Sequence, residues 1–284
     1  MRVGDTTIMQ FKVTRTATGW TGEWQRPAHF DSDGDNFSNL KGPVVRRIAK
    51  SARAVPNGVE LIFDDPAPRS FPDVFVIQAR NANTADVTYV AFGDEPSLLT
   101  RVSPGAVIGR WDTKRTYVRD KGWTTNAEMT AIFDADQADR KLGPAIDWKI
   151  VAPADQRRRA RTQELLDSGA LRSGDDFYHA AFVFQHGSEP ADYLKAHALA
   201  VIAAARGKPS ATWIAAATLD RYLQSIGQPQ VYGTQFSTVG KKTSQGSFDR
   251  DLLSDAIRRA TRVPPLTEQE TQRLEFEKRA GEKR

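Results

Sequence analysis

The spacing of apolar residues changes once along this 284-residue chain, and this change constrains the fold more than any other feature. Between residue 6 and about residue 120, apolar and polar residues alternate in short runs, as in GVELIF at 58–63. From residue 126 onward, apolar residues recur every three or four positions, which is the period of an amphipathic helix. The sequence therefore predicts two domains, a β domain at 1–120 and a helical domain at 121–284.

The first domain has the pattern of an antiparallel β sandwich or small barrel, because its short apolar runs are separated by turn residues. The predicted strands are 6–15, 21–25, 58–63, 74–79, 85–92, 98–102 and 111–118. The polar and basic segment 28–57 is predicted to be a long loop or a partly paired excursion.

The second domain is predicted to be all-α and built from helical hairpins, so the fold class is α+β. The predicted helices are 126–141, 155–168, 173–186, 190–206, 210–226 and 248–261, followed from about 267 by a charged C-terminal tail. Ser173 and Asp176 have the spacing of a capping box. Gly187, Gly207 and Gly227 are predicted to end three of the helices in the left-handed conformation. Residues 146–152 and 231–236 are predicted to be extended, and 237–246 a loop.

Composition excludes several classes of protein. Apolar residues make up 39% of the chain and charged residues 26%, which is typical of a globular protein and excludes disorder throughout. There are no cysteines, so disulfides and thiolate chemistry are excluded. The net charge is +5, and the 40 lysines and arginines are scattered among 35 acidic residues, which makes nucleic acid an unfavoured partner. No apolar run approaches the ~20 residues of a membrane span.

The N-terminal residues have no apolar core and no small-residue cleavage site, so no signal peptide is predicted. A cytoplasmic location is the default expectation. A periplasmic or secreted location would follow if the true start lay upstream.

Three of the four histidines lie within 25 residues of each other in the helical domain. His179 and His186 are seven residues apart, on one face of a helix, and a helical hairpin would bring His197 level with His179. A metal site would need a third ligand, for which Asp220 is the candidate. No H-x-x-x-H pair occurs, so structural roles are favoured and neither metal nor cofactor is predicted.

Two further segments are rich in polar groups. Asp220 and Arg221 lie on a predicted helix with many alanines, where they form either an internal ion pair or part of a site. The string QVYGTQ at 230–235 carries neutral donors and acceptors. It suits either recognition of a polar ligand or a polar plug that satisfies helix ends.

Two other charged clusters have simpler interpretations. The acidic run at 31–36 lacks the glycine and glutamate of a calcium loop at the required positions, which favours an ordinary surface loop. The four arginines at 157–161 favour a solvated helix face. Dinucleotide, P-loop, α/β-hydrolase and zincin motifs are missing from the sequence.

The residues QHG at 185–187, AHALA at 196–200, LDR at 219–221 and QVYGTQ at 230–235 occur in this order. In these motifs the chain resembles a bacterial family that is a domain of unknown function. The resemblance covers about residues 150–265. It implies a site on these motifs and names no reaction.

Together these observations predict a binding or interaction protein whose helical domain holds a pocket for a polar ligand or protein partner. The predicted pocket residues are Gln185, His186, His197, Asp220, Arg221, Tyr232, Thr234 and Gln235. A third and weaker hypothesis is a purely structural helical module. The main alternative is a metal-independent hydrolase or transferase. In that case His186 or His197 acts as general base, and Asp220 with Arg221 orients the substrate.

Overall fold

A computed structural model describes residues 2–3, 6–64, 71–92, 95–103 and 105–282 of the chain. It has two compact units, Met1–Gly122 and Trp123–Arg284. The first is built from antiparallel strands that form a half-barrel and the second is helical, so the predicted α+β class is confirmed.

The described strands of the first unit are β1 (Arg2–Val3), β2 (Thr6–Thr7), β3 (Gln10–Thr16), β4 (Gly19–Ser32), β5 (Asn36–Ile48), β6 (Ser51–Val55), β7 (Gly58–Phe63), β8 (Asp73–Ala79), β9 (Thr84–Tyr89), β10 (Ser97–Thr100) and β11 (Tyr117–Val118). In this part of the chain, one sheet has the order β10-β9-β8-β7-β6 and another the order β11-β5-β4-β3. A short 3₁₀ turn, Val90–Phe92, follows β9.

Alternation of apolar and polar residues decides which side chains form the core of this unit. On β7, Val59, Leu61 and Phe63 are buried and the residues between them are partly exposed, as the sequence pattern predicts. Their side chains pack with Trp24 and Phe75 in one aromatic-rich cluster. Burial of such large side chains contributes roughly 1.5–3 kcal/mol each.

Of the two alternatives for segment 28–57, the long loop is wrong and the paired excursion is closer to the structure. The segment forms the end of β4, all of β5 and all of β6. Its polar composition reflects strands with one face in solvent, since most residues of β5 beyond its first five are exposed. Register shifts beside His29 interrupt the regular pairing of β4 with β5, which further hides the alternation. Asp33 makes the turn by accepting from the backbone N–H groups of Asp35 and Asn36.

The described helices of the second unit are α1 (Ala127–Lys141), α2 (Trp148–Asp167), α3 (Gly174–Phe184), α4 (Pro190–Ala205), α5 (Ala211–Ser225), α6 (Asp255–Ala260) and α7 (Leu266–Glu282). A 3₁₀ turn, Gly143–Ala145, separates α1 from α2. Strands β12 (Ser237–Val239) and β13 (Lys242–Ser244) form a hairpin. Residues 283–284 of the predicted charged tail lie outside the described residues.

The capping box predicted at the start of α3 is confirmed. Ser173 Oγ accepts from the Asp176 N–H, and the Asp176 carboxylate accepts from the Ser173 N–H. The same carboxylate also accepts from the Asn126 N–H at 2.7 Å, and Asn126 in turn caps α1. One fully buried aspartate therefore ties the starts of two helices together.

The three repeated glycines do not all have the predicted conformation. Gly207 and Gly227 have positive φ angles of 84° and 74°, as expected at helix ends. Gly187 does not have a positive φ, and a Cβ there would overlap the side chain of Asp192, which caps α4. Gly187 is therefore required for a close approach between side chain and backbone.

Three local predictions in the helical unit are wrong. Residues 146–152 are mostly helical, because Asp147 caps α2 eight residues before the predicted start at 155. Residues 237–246 form the β12–β13 hairpin. Within 248–261 only Asp255–Ala260 is helical, because Phe248 forms a parallel bridge with Gln230 and is held extended.

In the part of the chain that the structure describes, no helix combines the length and the apolar character needed to cross a membrane.

Candidate functional site

Asp220 accepts the hydrogen bonds that hold residues 230–235 beside α5. It lies on α5 and is completely buried, because the neighbouring alanines allow close packing of α4 against α5. Its Oδ1 accepts from the N–H groups of Val231 and Tyr232 at 2.9 and 3.0 Å. Its Oδ2 accepts from the N–H and the hydroxyl of Thr234 at 2.9 and 2.7 Å. The carboxylate therefore holds the segment 230–235 through four hydrogen bonds.

Gln230 ties the two ends of this segment together. Its side-chain oxygen accepts from the Gln235 N–H at 2.8 Å, and its amide group donates to the Gln235 carbonyl at 3.1 Å. The same amide also donates to the carbonyl of Gln245. Gln230 is fully buried, so these bonds satisfy an amide that would otherwise be costly to enclose.

Two more buried glutamines complete the support from the other side. Gln245 donates to the Gly233 carbonyl at 2.7 Å and to the side chain of Gln269 at 2.8 Å. Gln269, on α7, donates to the Tyr232 carbonyl at 2.9 Å. Gly233 has a φ of 79° and packs so closely against Gln269 that a Cβ would overlap it. The segment 230–235 is thus a polar plug, held by α5, by α7 and by Gln245, the residue that follows β13.

Tyr232 and Thr234 take part in this arrangement in different ways. Thr234 directs its hydroxyl to Asp220, as described above. The Tyr232 side chain is half-buried, and its burial, followed by the nearby negative charge of Asp220, raises the pKa of its hydroxyl. The tyrosine is therefore a neutral hydrogen-bonding group at physiological pH.

Arg221 follows Asp220 in sequence but does not pair with it. Its Nη1 donates to the Gln185 carbonyl at the long distance of 3.4 Å, and its buried Nε has no hydrogen-bond partner in the described part of the chain. Burial lowers the pKa of this guanidinium below its usual value. The described carboxylates form no ion pair with it, which leaves a partly buried cation with unused donors.

Arg221 lines a cleft of about 410 Å³ that is open to solvent. The other walls are mainly neutral and polar, and include Tyr193, Gln224, Ser225, Gln235, Ser237 and Ser244. Gln235 presents a side chain that also donates to the Ala217 carbonyl. The cleft therefore combines one positive charge with several hydroxyl and amide groups.

His186 lies at the end of α3 and is directed toward a different group of residues. Its Nε2 is 3.4 Å from the carboxylate of Asp136, which is buried on α1. Its carbonyl accepts from Arg159 at 2.9 Å. Arg159 and Arg221 thus each place a cation against the carbonyl end of α3, where a positive charge is favoured.

His179 and His197, predicted to come level across the α3–α4 hairpin, have separate partners. The His179 ring stacks on Phe133 of α1, with centroids 4.3 Å apart. The His197 Nδ1 is 2.9 Å from the Ala215 carbonyl of α5. Among the described residues, no group of three or more histidine or carboxylate side chains is arranged to hold a metal ion.

The predicted site residues therefore fall into three groups. Asp220, Thr234 and Gln235 meet at the plug, and Arg221 joins Gln235 at the cleft and contacts Gln185. His186 belongs with Asp136, and His197 with the backbone of α5.

Sequence reasoning did not identify Gln245, Gln269 and Asp136. The two glutamines lie in segments predicted to be a loop and a charged tail, and Asp136 is one of several acids on α1. Only their burial distinguishes them, and burial of a single polar residue leaves no local pattern.

Comparison of the chain with protein-family models, with curated proteins and with solved structures gives no match.

Proposed function

We propose that this protein is a binding protein, and that the cleft beside Arg221 takes a small polar ligand that carries an anionic group. The observation that supports this most directly is the state of Arg221. Its guanidinium is largely removed from water, has an unused Nε donor, and meets no carboxylate among the described residues. A buried cation without a partner is costly, and an anion bound in the cleft would offset that cost.

The walls of the cleft support the second half of the proposal. They contribute hydroxyl groups from Ser225, Ser237 and Ser244 and amides from Gln224 and Gln235. Neutral donors and acceptors around one cation suit a ligand with a carboxylate or phosphate and further polar groups. The volume of about 410 Å³ is within the range of small-molecule sites.

The polar plug supports a binding role because it holds the cleft wall in place. Gln235 and Gln245 line the cleft and are also fixed by hydrogen bonds to the buried network. Rigid placement of polar side chains reduces the entropic cost of binding. The motifs that resemble the bacterial domain family would then preserve the support of the site, with Arg221 as the contact to the ligand.

The hydrolase or transferase alternative receives less support. It needs a histidine base beside Asp220, but the described contacts of His186 and His197 are to Asp136 and to the α5 backbone. The carboxylate of Asp220 already accepts four hydrogen bonds and is fully buried. A binding function requires none of these groups to move.

The proposal is tested by titrating the full chain with phosphate monoesters, dicarboxylates and neutral polyols, using calorimetry and thermal shift. The variant Arg221→Gln is compared with Arg157→Gln, which removes an exposed arginine of α2. Charged hydrogen bonds contribute about 1.5–3 kcal/mol, so Arg221→Gln should weaken anion binding by roughly ten- to hundredfold, whereas Arg157→Gln should leave it unchanged.

Arg221→Gln should stay within about 1 kcal/mol of the parent's stability, because the loss of a positive charge at the end of α3 is offset by removal of a desolvated charge that has no ionic partner. The proposal is contradicted if none of the anions bind, if neutral polyols bind as tightly as the anions, or if both arginine variants bind alike.

A further inference from the structure

Apart from the Arg221 cleft of the helical unit, the half-barrel of the first unit contains a cavity of about 230 Å³ whose walls are largely aromatic. Its aromatic lining residues are Phe11, Trp24, Phe30, Phe37, Phe75 and Tyr89. A cavity of about 150 Å³ with apolar walls is large enough to bind benzene. This cavity therefore has room for a single substituted ring.

Trp24 is held rigidly in the cavity wall. Its ring is stacked parallel to Phe11 at a centroid distance of 6.0 Å and meets the edge of Phe75 at 4.8 Å. Arg26 and Arg47 lie against the same ring, at 5.0 and 5.5 Å from its centroid. These four neighbours fix the orientation of the indole ring, and with it the direction of its N–H group.

The Trp24 Nε1 atom is buried and has no hydrogen-bond partner among the described residues. A buried tryptophan N–H usually has an acceptor, and leaving one unpaired costs about 1–3 kcal/mol. Ser97 lines the same cavity and is 1% exposed, and its hydroxyl also has no hydrogen-bond partner among the described residues. Two residues that line this one aromatic cavity thus each carry an unsatisfied polar atom.

The charged side chains at the cavity are already engaged with the protein. Asp73 forms an ion pair with Arg47 and accepts from the Tyr89 hydroxyl at 2.6 Å. Arg119 donates to Ser32 at 2.8 Å. Because these charges have partners, the cavity favours a neutral ligand over an ion.

We propose that the half-barrel binds a small neutral aromatic molecule with one hydroxyl group, such as a substituted phenol. The ring lies among the aromatic side chains, and the hydroxyl accepts from Trp24 Nε1 and donates to Ser97 Oγ. Both hydrogen bonds use atoms that have no other partner among the described residues. This site is independent of the Arg221 cleft, because every residue that lines it belongs to the first unit.

Titration of the full chain with 4-ethylphenol tests the proposal, with ethylbenzene and 4-ethylbenzoate as matched probes. Calorimetry gives the affinity, and the quenching of tryptophan fluorescence reports on the site. We expect 4-ethylphenol to bind about tenfold more tightly than ethylbenzene, because it satisfies the unpaired polar atoms. The anionic probe should bind more weakly than the phenol.

Two variants make the assignment specific. Ser97→Ala removes an unpaired hydroxyl and should fold normally, while the preference for the phenol over ethylbenzene falls to about threefold. Val87→Phe adds a ring at a buried position of the cavity wall and should abolish binding of both neutral probes. If Val87→Phe fails to fold, the preference of Ser97→Ala for the phenol over ethylbenzene still tests the proposal.

The proposal is overturned if neither neutral probe binds, if the benzoate binds more tightly than the phenol, or if Ser97→Ala retains the full preference. Binding of the phenol with equal affinity in a folded Val87→Phe variant would overturn it as well.

Discussion

Replacing Asp220 by asparagine tests whether one carboxylate holds the segment 230–235. The amide nitrogen must take the place of one oxygen. In the Oδ1 position it would face two N–H groups, those of Val231 and Tyr232. In the Oδ2 position it would face the N–H of Thr234 and a hydroxyl, which can turn and accept from it. The second arrangement is cheaper, since it leaves one buried N–H without an acceptor.

The magnitude follows from these contacts. One unsatisfied buried N–H costs about 1–3 kcal/mol. The two hydrogen bonds that remain on the other oxygen lose their charge assistance, which roughly halves their strength. The neutral side chain recovers part of this loss, because it is less costly to bury. We therefore expect Asp220→Asn to lower the free energy of unfolding by about 3 kcal/mol.

The assay is urea denaturation of the full chain, followed by circular dichroism at 222 nm so that the signal reports mainly on the helical unit. Asp251→Asn is the control, because Asp251 is exposed and such a change should stay within about 0.5 kcal/mol of the parent. Hydrogen exchange should also show faster exchange at the amides of Val231, Tyr232 and Thr234 in the variant. Equal stability of the Asp220 and Asp251 variants would refute the role assigned to the carboxylate.

Two further predictions concern a glycine and a histidine. Gly233→Ala should lower the free energy of unfolding by about 2–4 kcal/mol in a denaturant titration, because a Cβ at this positive φ would overlap Gln269 and Phe248. Gly240 also has a positive φ but has open space around it, so Gly240→Ala should lower that free energy by only about 1 kcal/mol. Equal losses in the two variants would contradict the packing argument. Burial lowers the pKa of His179, so the unfolded chain takes up a proton more readily than the folded protein, and stability should fall as the pH drops below about 6.5. His179→Phe should lose less stability than the parent between pH 7 and pH 5, and identical pH profiles would contradict this.

The features that the sequence predicts correctly depend on residues close together in the chain. The capping box of α3 needs only Ser173 and Asp176, three residues apart. The buried face of β7 needs only the alternation within 58–63. Such patterns are visible in a short window, because a helix end or a strand face is formed within a few residues.

The errors occur where distant residues determine the local conformation. Phe248 is predicted to begin a helix, yet it pairs with Gln230, eighteen residues earlier, and stays extended. The polar segment 28–57 is strand because β4 and β5 pair along most of their length and expose their charged residues. In both segments the partner strand supplies hydrogen bonds that outweigh the local preference.

At the candidate site, the local pattern of residues 210–235 is enough to predict that one helix carries Asp220 and Arg221 and that a polar segment follows it. The enclosure of Asp220 by four hydrogen bonds, and the position of its neighbour Arg221 at an open cleft, depend on the packing of distant segments. The physical reason is that adjacent residues on a helix point about 100° apart, so one meets the plug and the other the solvent-accessible side. Burial and partner are properties of the folded unit, and they separate the residue that supports the site from the residue we propose to bind the ligand.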